Sequence, residues 1–141
     1  MMTIAPDNVT GSPEMPRKVL DTEIGKISIY DHIVIMEGKA NVNISIRNGM
    51  SVLIDVAKAV GFRPVVYISN RINAYSVDPN DYKYLEMIPN LKGIAIVTYN
   101  EFSYNTASME ENFVRKPFRV FNNLHAAKSW AKYVIEGKVI V

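Results

Sequence analysis

The chain has 141 residues, of which 48% are hydrophobic and 21% charged, with 16 basic against 14 acidic side chains and a net charge of +2. That length suits one domain able to bury about two-thirds of its unfolded surface, and the charge is too balanced for a nucleic-acid binder, which needs a clustered basic face. Zero cysteine excludes disulfides, thiolate metal sites and cysteine nucleophiles, and no segment reaches the ~18 uninterrupted apolar residues of a membrane span.

Residues 1–16 hold three prolines, a glycine and few large apolar groups, the composition of a loose tail. They lack the apolar core of a signal peptide, so a soluble, cytoplasmic α/β domain over residues 17–141 is expected. Gly25–Tyr30 alternates, with Ile27 and Ile29 on one face, and Ile33–Met36 is a nearly continuous apolar run. Asp31-His32 between them suits a tight hairpin, with Val19–Ile24 extending the first strand or pairing beside it.

A helical segment then opens at Asn43. Ile46, Met50, Leu53, Val56 or Ala57, and Val60 recur at helical spacing and form one amphipathic stripe. Gly49 weakens it by about 1 kcal/mol relative to Ala, and Gly61 is placed to end it in a left-handed conformation. Pro64–Ser69 and Gly93–Thr98 are short apolar runs bounded by turn residues, the marks of strands buried on both faces.

Between those strands, Asp78 as cap and Pro79 at the first helical position start a helix carrying Tyr82, Leu85 and Ile88. A further helix is expected from about Glu101 to Asn112, touching the core through Phe102, Ala107 and Met109. Phe118–Val134 closes the pattern. An aromatic strand leads into Asn122-Asn123, which can cap a helix by accepting a first-turn N–H. Leu124, Ala127, Trp130 or Ala131, and Val134 then give that helix one apolar face. The order β-β-α-β-α-β-α-β-α predicts a single α/β domain, a four- or five-stranded mixed sheet covered by about four helices.

The stretches GKISIYDHIVIMEG, PVVYIS, GIAIVT and FRVFNNLHAAKSWAKYV, in this order, resemble the STAS-like domains. The likeness is strongest to their SpoIIAA-like branch, near the SEC14-type fold, and covers about Gly25–Gly137. It implies a non-enzymatic protein-interaction module without a cofactor. A small apolar-ligand or lipid carrier of the SEC14-like type is the alternative. In anti-sigma-factor antagonists, a serine opening the helix after the third strand is a phosphorylation switch. The matching stretch here is Tyr75-Ser76-Val77-Asp78-Pro79-Asn80. Asp78 and Pro79 occupy the helix start and Ser76 precedes it, so Asp78 reads as a structural cap and the site as unswitched.

Few residues offer chemistry. His32 and His125 lack metal-ligand spacing and read as solvated. No nucleophile elbow or glycine-rich phosphate loop occurs, and an enzyme using Tyr and Arg with an added cofactor is the weakest reading. Glu110 and Glu111 point about 100° apart on a helix and read as a solvated face. Arg115-Lys116-Pro117-Phe118-Arg119 mixes basic and aromatic groups but reads as solvating a loop and a strand edge.

Tyr67, Tyr75, Tyr82, Tyr84, Tyr99 and Tyr104 cluster at strand-to-helix junctions. Ligands of α/β sheets bind outside the carboxyl ends of strands. A rim of Asn70, Arg71, Ser76, Asp78, Tyr99 and Asn100 is therefore the candidate surface for a protein partner, a second copy of the chain, or a small ligand. The plainer reading has Tyr packing over sheet edges and Asn satisfying turns. The apolar end Lys138–Val141 is expected to dock on its own sheet or to pair with another chain.

Overall fold

The computed structural model describes residues 15–73 and 75–137. The expectations for most of the tail and for Lys138–Val141 fall outside the described residues. The chain runs β1 (Lys18–Asp21), β2 (Gly25–Ile29), β3 (Ile33–Gly38), β4 (Asn43–Ile44), α1 (Ile46–Val60), β5 (Val65–Asn70) and β6 (Ser76–Val77). It continues through a 3-10 turn (Pro79–Asp81), α2 (Tyr82–Glu86), β7 (Leu91–Val97), α3 (Glu101–Met109), a second 3-10 turn (Glu110–Phe113), β8 (Phe118–Phe121) and α4 (Leu124–Ile135).

Six strands form one mixed sheet in the order β1-β2-β3-β5-β7-β8. The first three pair antiparallel, and β3, β5, β7 and β8 run parallel. The count exceeds the expected four or five because β1 pairs beside β2 as a strand of its own, Lys18 opposite Ile29 and Asp21 opposite Lys26. The helix expected from Asn43 begins instead at Ile46. Asn43 and Ile44 are drawn into a separate two-stranded parallel ladder opposite Ser76 and Val77.

Period-two alternation divides the core in two. Ile35, Val66, Ile68, Ala95 and Val97 face α4, whereas Val34, Met36, Val65, Ile94 and Ile96 face the side covered by α1 to α3. Burial on both faces is why β5 and β7 read as unbroken apolar runs. The α4 stripe seats as its sequence predicts, with Ala127, Trp130, Ala131 and Val134 all buried. The Asn123 carboxamide oxygen caps the helix by accepting the Ala126 N–H at 2.7 Å. Gly93 lets α4 lie close, since a Cβ there would come within 3.3 Å of the Trp130 ring, Val134 and the Pro117 carbonyl.

The opposite face is packed differently. Only Val60 of α1 is buried; the rest of its stripe is half-buried or exposed. On α3, Ala107 alone is buried, while Phe102 is 80% and Met109 67% exposed, contrary to the expectation that both touch the core. A nine-residue helix turned toward the core by one small side chain has no room for two larger anchors on that face. Gly61 ends α1 at φ +66° as expected.

Candidate functional site

Beneath α1 the two layers do not close. A cavity of about 190 Å³ lies between the sheet, α1 and α2, with Val34 and Met36 on its floor and Val52, Val56 and Leu85 in its roof. Its walls are overwhelmingly apolar. The roof is held by one local and one long-range bond from backbone to side chain. The Ser45 N–H donates to Asn48 Oδ1 at 2.9 Å, and the Ile46 N–H donates to Asp81 Oδ2 at 2.8 Å. Asp81 therefore fastens the first turn of α1 to the turn ahead of α2, where a carboxylate also meets the positive end of the helix dipole.

One end of the cavity is polar. Arg71, one residue past β5, donates from Nη1 and Nη2 to the two oxygens of Glu110 at 2.7 and 3.0 Å. Its Nε donates to Ser69 Oγ at 3.1 Å, and its guanidinium stands 5.6 Å from the centre of the Tyr75 ring. The Tyr82 hydroxyl donates to Glu110 Oε1 at 2.5 Å, and the hydroxyls of Ser69 and Tyr75 share a hydrogen bond of 2.6 Å. Both side chains of the ion pair are only 11% exposed.

Burial works against the Arg71 charge, yet the hydrogen bonds and field of Glu110 outweigh it and hold the guanidinium firmly protonated. Burial raises the phenol pKa of Tyr67, assisted by Tyr75, and raises that of Tyr75. It raises that of Tyr82 strongly, assisted by the Glu110 carboxylate. The tyrosines stay neutral donors at any ordinary pH.

Glu110 is thus not the solvated residue expected from its neighbour Glu111. It is 8% exposed, whereas Glu111 lies open to solvent. The available signal was its register with Ala107 three residues earlier, which puts both on one side of the turn. Arg71 and the buried tyrosines came from the strand-end pattern; Glu110 did not, because its partner lies 39 residues away.

The expected rim divides across the sheet. Arg71 and Asp78 border the cavity with Ser69 and Tyr67. Asn70 points to the other side, where its amide donates to Glu37 Oε2 at 3.0 Å and its carbonyl oxygen accepts the Tyr99 hydroxyl at 2.5 Å. Ser76 is exposed on the short ladder and donates to Asn43 Oδ1. Asp78 accepts the Asn80 N–H at 3.1 Å, a capping geometry. Asn100 caps α3 by accepting the Ser103 N–H at 2.8 Å. Alternation along β5 turns Asn70 away from Ser69 and Tyr67, and of the six only Arg71 and Asp78 border the cavity, so they do not converge on one surface.

His32 is exposed and bonds the Pro64 carbonyl through Nδ1 at 2.8 Å, and His125 is exposed on α4. In the basic stretch, Lys116 donates to the Ile88 and Leu91 carbonyls, and burial followed by the charge of Lys92 lowers its pKa. No helix among the described residues is long and apolar enough to cross a membrane.

No known family profile matches the chain, and no curated protein does. A solved structure does match. It is an uncharacterized DUF3478-family protein with a SpoIIAA-like fold from Shewanella loihica PV-4. It is 11% identical, with 86% of this chain and 97% of that chain covered at a TM-score of 0.51. The fold is SpoIIAA-like. The likeness extends to architecture alone, so the SpoIIAA-like sheet and its covering helices are common to both chains, while the cavity and the Arg71–Glu110 network are described from this chain only.

Proposed function

We propose that this protein is a cytoplasmic, non-catalytic binding module that takes up a small apolar molecule beneath α1. The observation that carries this reading is the apolar cavity of about 190 Å³. Covering apolar wall that water would otherwise touch is worth about 25 cal/mol per Å², so an apolar occupant is favoured there. An engineered aliphatic cavity of about 150 Å³ binds benzene, so the space fits a single ring or a short branched chain. It is below the ~300–1,000 Å³ of drug-sized sites. A long-chain lipid would require α1 to lift, and α1 is the least buried of the long helices on the sheet.

Toluene added to the purified protein is expected to raise its thermal midpoint in a saturable way. Val56→Phe, which fills the cavity from α1, is expected to raise the midpoint by itself and to abolish the toluene effect. Absence of a shift in the natural protein, or an unchanged shift in Val56→Phe, rejects the reading.

A second reading, docking of a protein partner, is supported by a different surface. Phe102 and Met109, 80% and 67% exposed, stand seven residues apart on one side of α3, and Phe113 in the 3-10 turn that follows is 46% exposed. The partner could be a second copy of the chain. Light scattering over a wide concentration range tests that case: a mass above the monomer that falls in Phe102→Ser supports it, and a strict monomer ends it.

A further inference from the structure

We infer that the end of the sheet where the parallel strands begin is a docking face for a bilayer containing anionic lipid. Phe62, in the turn from α1 to β5, is 100% exposed, and Met87, just past α2, is 77% exposed. The Phe62 turn is pinned. The Asn90 carboxamide donates to the carbonyls of Gly61 and Arg63, on either side of Phe62, at 3.0 and 2.8 Å. Those bonds also draw the connection that follows Met87 against the turn that carries Phe62. Single exposed apolar side chains are ordinary on soluble proteins. A fully exposed phenylalanine fixed from both sides, with a methionine in the adjoining connection, is a prepared projection.

The surrounding charge says what it enters. Lys58, Lys92 and Arg115 are exposed at this end, and Arg63 and Lys116 are half-buried beside them. They come from the last turn of α1, the first residues of β7 and the segments leading into β5 and β8. Arg63 Nε donates to the Asp31 carbonyl at 2.8 Å, and Lys116 Nζ donates to the Ile88 and Leu91 carbonyls at 2.7 and 2.6 Å. Both thus spend these bonds on backbone oxygens. Opposing the five are Asp55 one turn back on α1, Asp31, which Arg17 pairs at 2.8 Å, and Glu86, which accepts the Arg115 N–H. The opposite end of the sheet carries Asp21, Glu23, Glu37 and Glu101 against Lys26 and Lys39. A chain of net charge +2 is therefore polarised from end to end.

Cations around two apolar projections fit an anionic leaflet. Each Lys or Arg near such a surface strengthens binding about fivefold, and the apolar pair enters the acyl boundary. Nucleic acid would answer the cations but not Met87. Gly61 and Asn90 also line the apolar cavity, which sets that end of the cavity toward the leaflet.

Flotation with phosphatidylcholine vesicles, with and without phosphatidylserine, tests this on the full chain. Binding is expected only where phosphatidylserine is present, and it should weaken as salt is raised. Phe62→Ser should weaken it at least about tenfold, and Lys92→Gln with Arg115→Gln about 30-fold. All three side chains are exposed, so thermal melts should show the variants folded. Phe102→Ser, which removes an exposed aromatic from α3, should bind as the natural protein does. Failure to bind either vesicle, equal binding to both, binding that Phe62→Ser leaves unchanged, or an equal loss in Phe102→Ser overturns the inference. A chain that ignores vesicles yet retards a labelled single-stranded oligonucleotide has a nucleic-acid face instead, which overturns it as well. The toluene shift is read separately, so the cavity and the docking face stand or fall independently.

Discussion

Replacing Glu110 by alanine removes the acceptor of three hydrogen bonds, two from Arg71 and one from Tyr82. The guanidinium then stays buried without a counter-charge, since its own side chain is 11% exposed. Breaking a buried pair from one side costs about 3–5 kcal/mol, whereas an exposed ion pair contributes about 0–1 kcal/mol. Neighbouring Glu111 provides the internal control, because it is exposed and its replacement should change stability by no more than about 0.5 kcal/mol. Urea unfolding followed by circular dichroism measures both variants, and the Glu110→Ala midpoint should fall well below the Glu111→Ala midpoint at similar slope. The double replacement Arg71→Met with Glu110→Leu should recover most of the loss, because apolar groups of similar volume leave no stranded charge. If Glu110→Ala and Glu111→Ala unfold at the same urea concentration, the network is solvated and the account of the polar cavity end is wrong.

Tyr67, Tyr75 and Tyr82 have raised pKa values, so each keeps its proton in the folded chain where the unfolded chain has lost it. Their contribution is complete below the usual phenol pKa and fades as pH climbs past it. Phenolate absorbance near pH 11 should therefore fall short of that of the urea-unfolded chain and jump on alkaline unfolding; full titration without unfolding refutes this. Gly38→Ala would set a Cβ 2.6 Å from the Tyr75 ring, pushing it off Ser69 and Arg71. A loss of about 1–3 kcal/mol is expected and should be partly relieved in Gly38→Ala, Tyr75→Leu, as thermal melts of the two variants would reveal. Asn100→Ala and Asn123→Ala each delete a helix cap and should each cost about 1 kcal/mol. Asn100→Ala should leave toluene uptake intact, and a lost thermal shift in that variant would return Asn100 to the ligand site.

The legible parts of this protein are those whose physics is local. Val66 to Ile68 and Ile94 to Val97 announce doubly buried strands because both faces of a central parallel strand are covered. The α4 stripe, its Asn123 cap, the Asp78-Pro79 start and the Gly61 stop each depend on residues within a turn or two of one another. Those elements in that order were enough for the SpoIIAA-like architecture. The α1 stripe was equally plain, but periodicity states which side turns inward and not how far the inward side travels.

What the tertiary structure decided depends on residues distant in the chain. The roof is held off the sheet by the ladder of Asn43–Ile44 with Ser76–Val77 and by the Asp81 tie to Ile46, and the space below α1 follows from that spacing. Glu110 is buried and Glu111 is not because Arg71 waits on one side of a single turn, and no local pattern distinguishes two adjacent glutamates. Asn70 and Arg71 are neighbours in sequence yet face opposite layers of the sheet. Side-chain type and period fix the elements, because hydrogen bonding and alternation act over a few residues. Cavity, ion pair and site are fixed only when strands 30 to 40 residues apart are laid side by side.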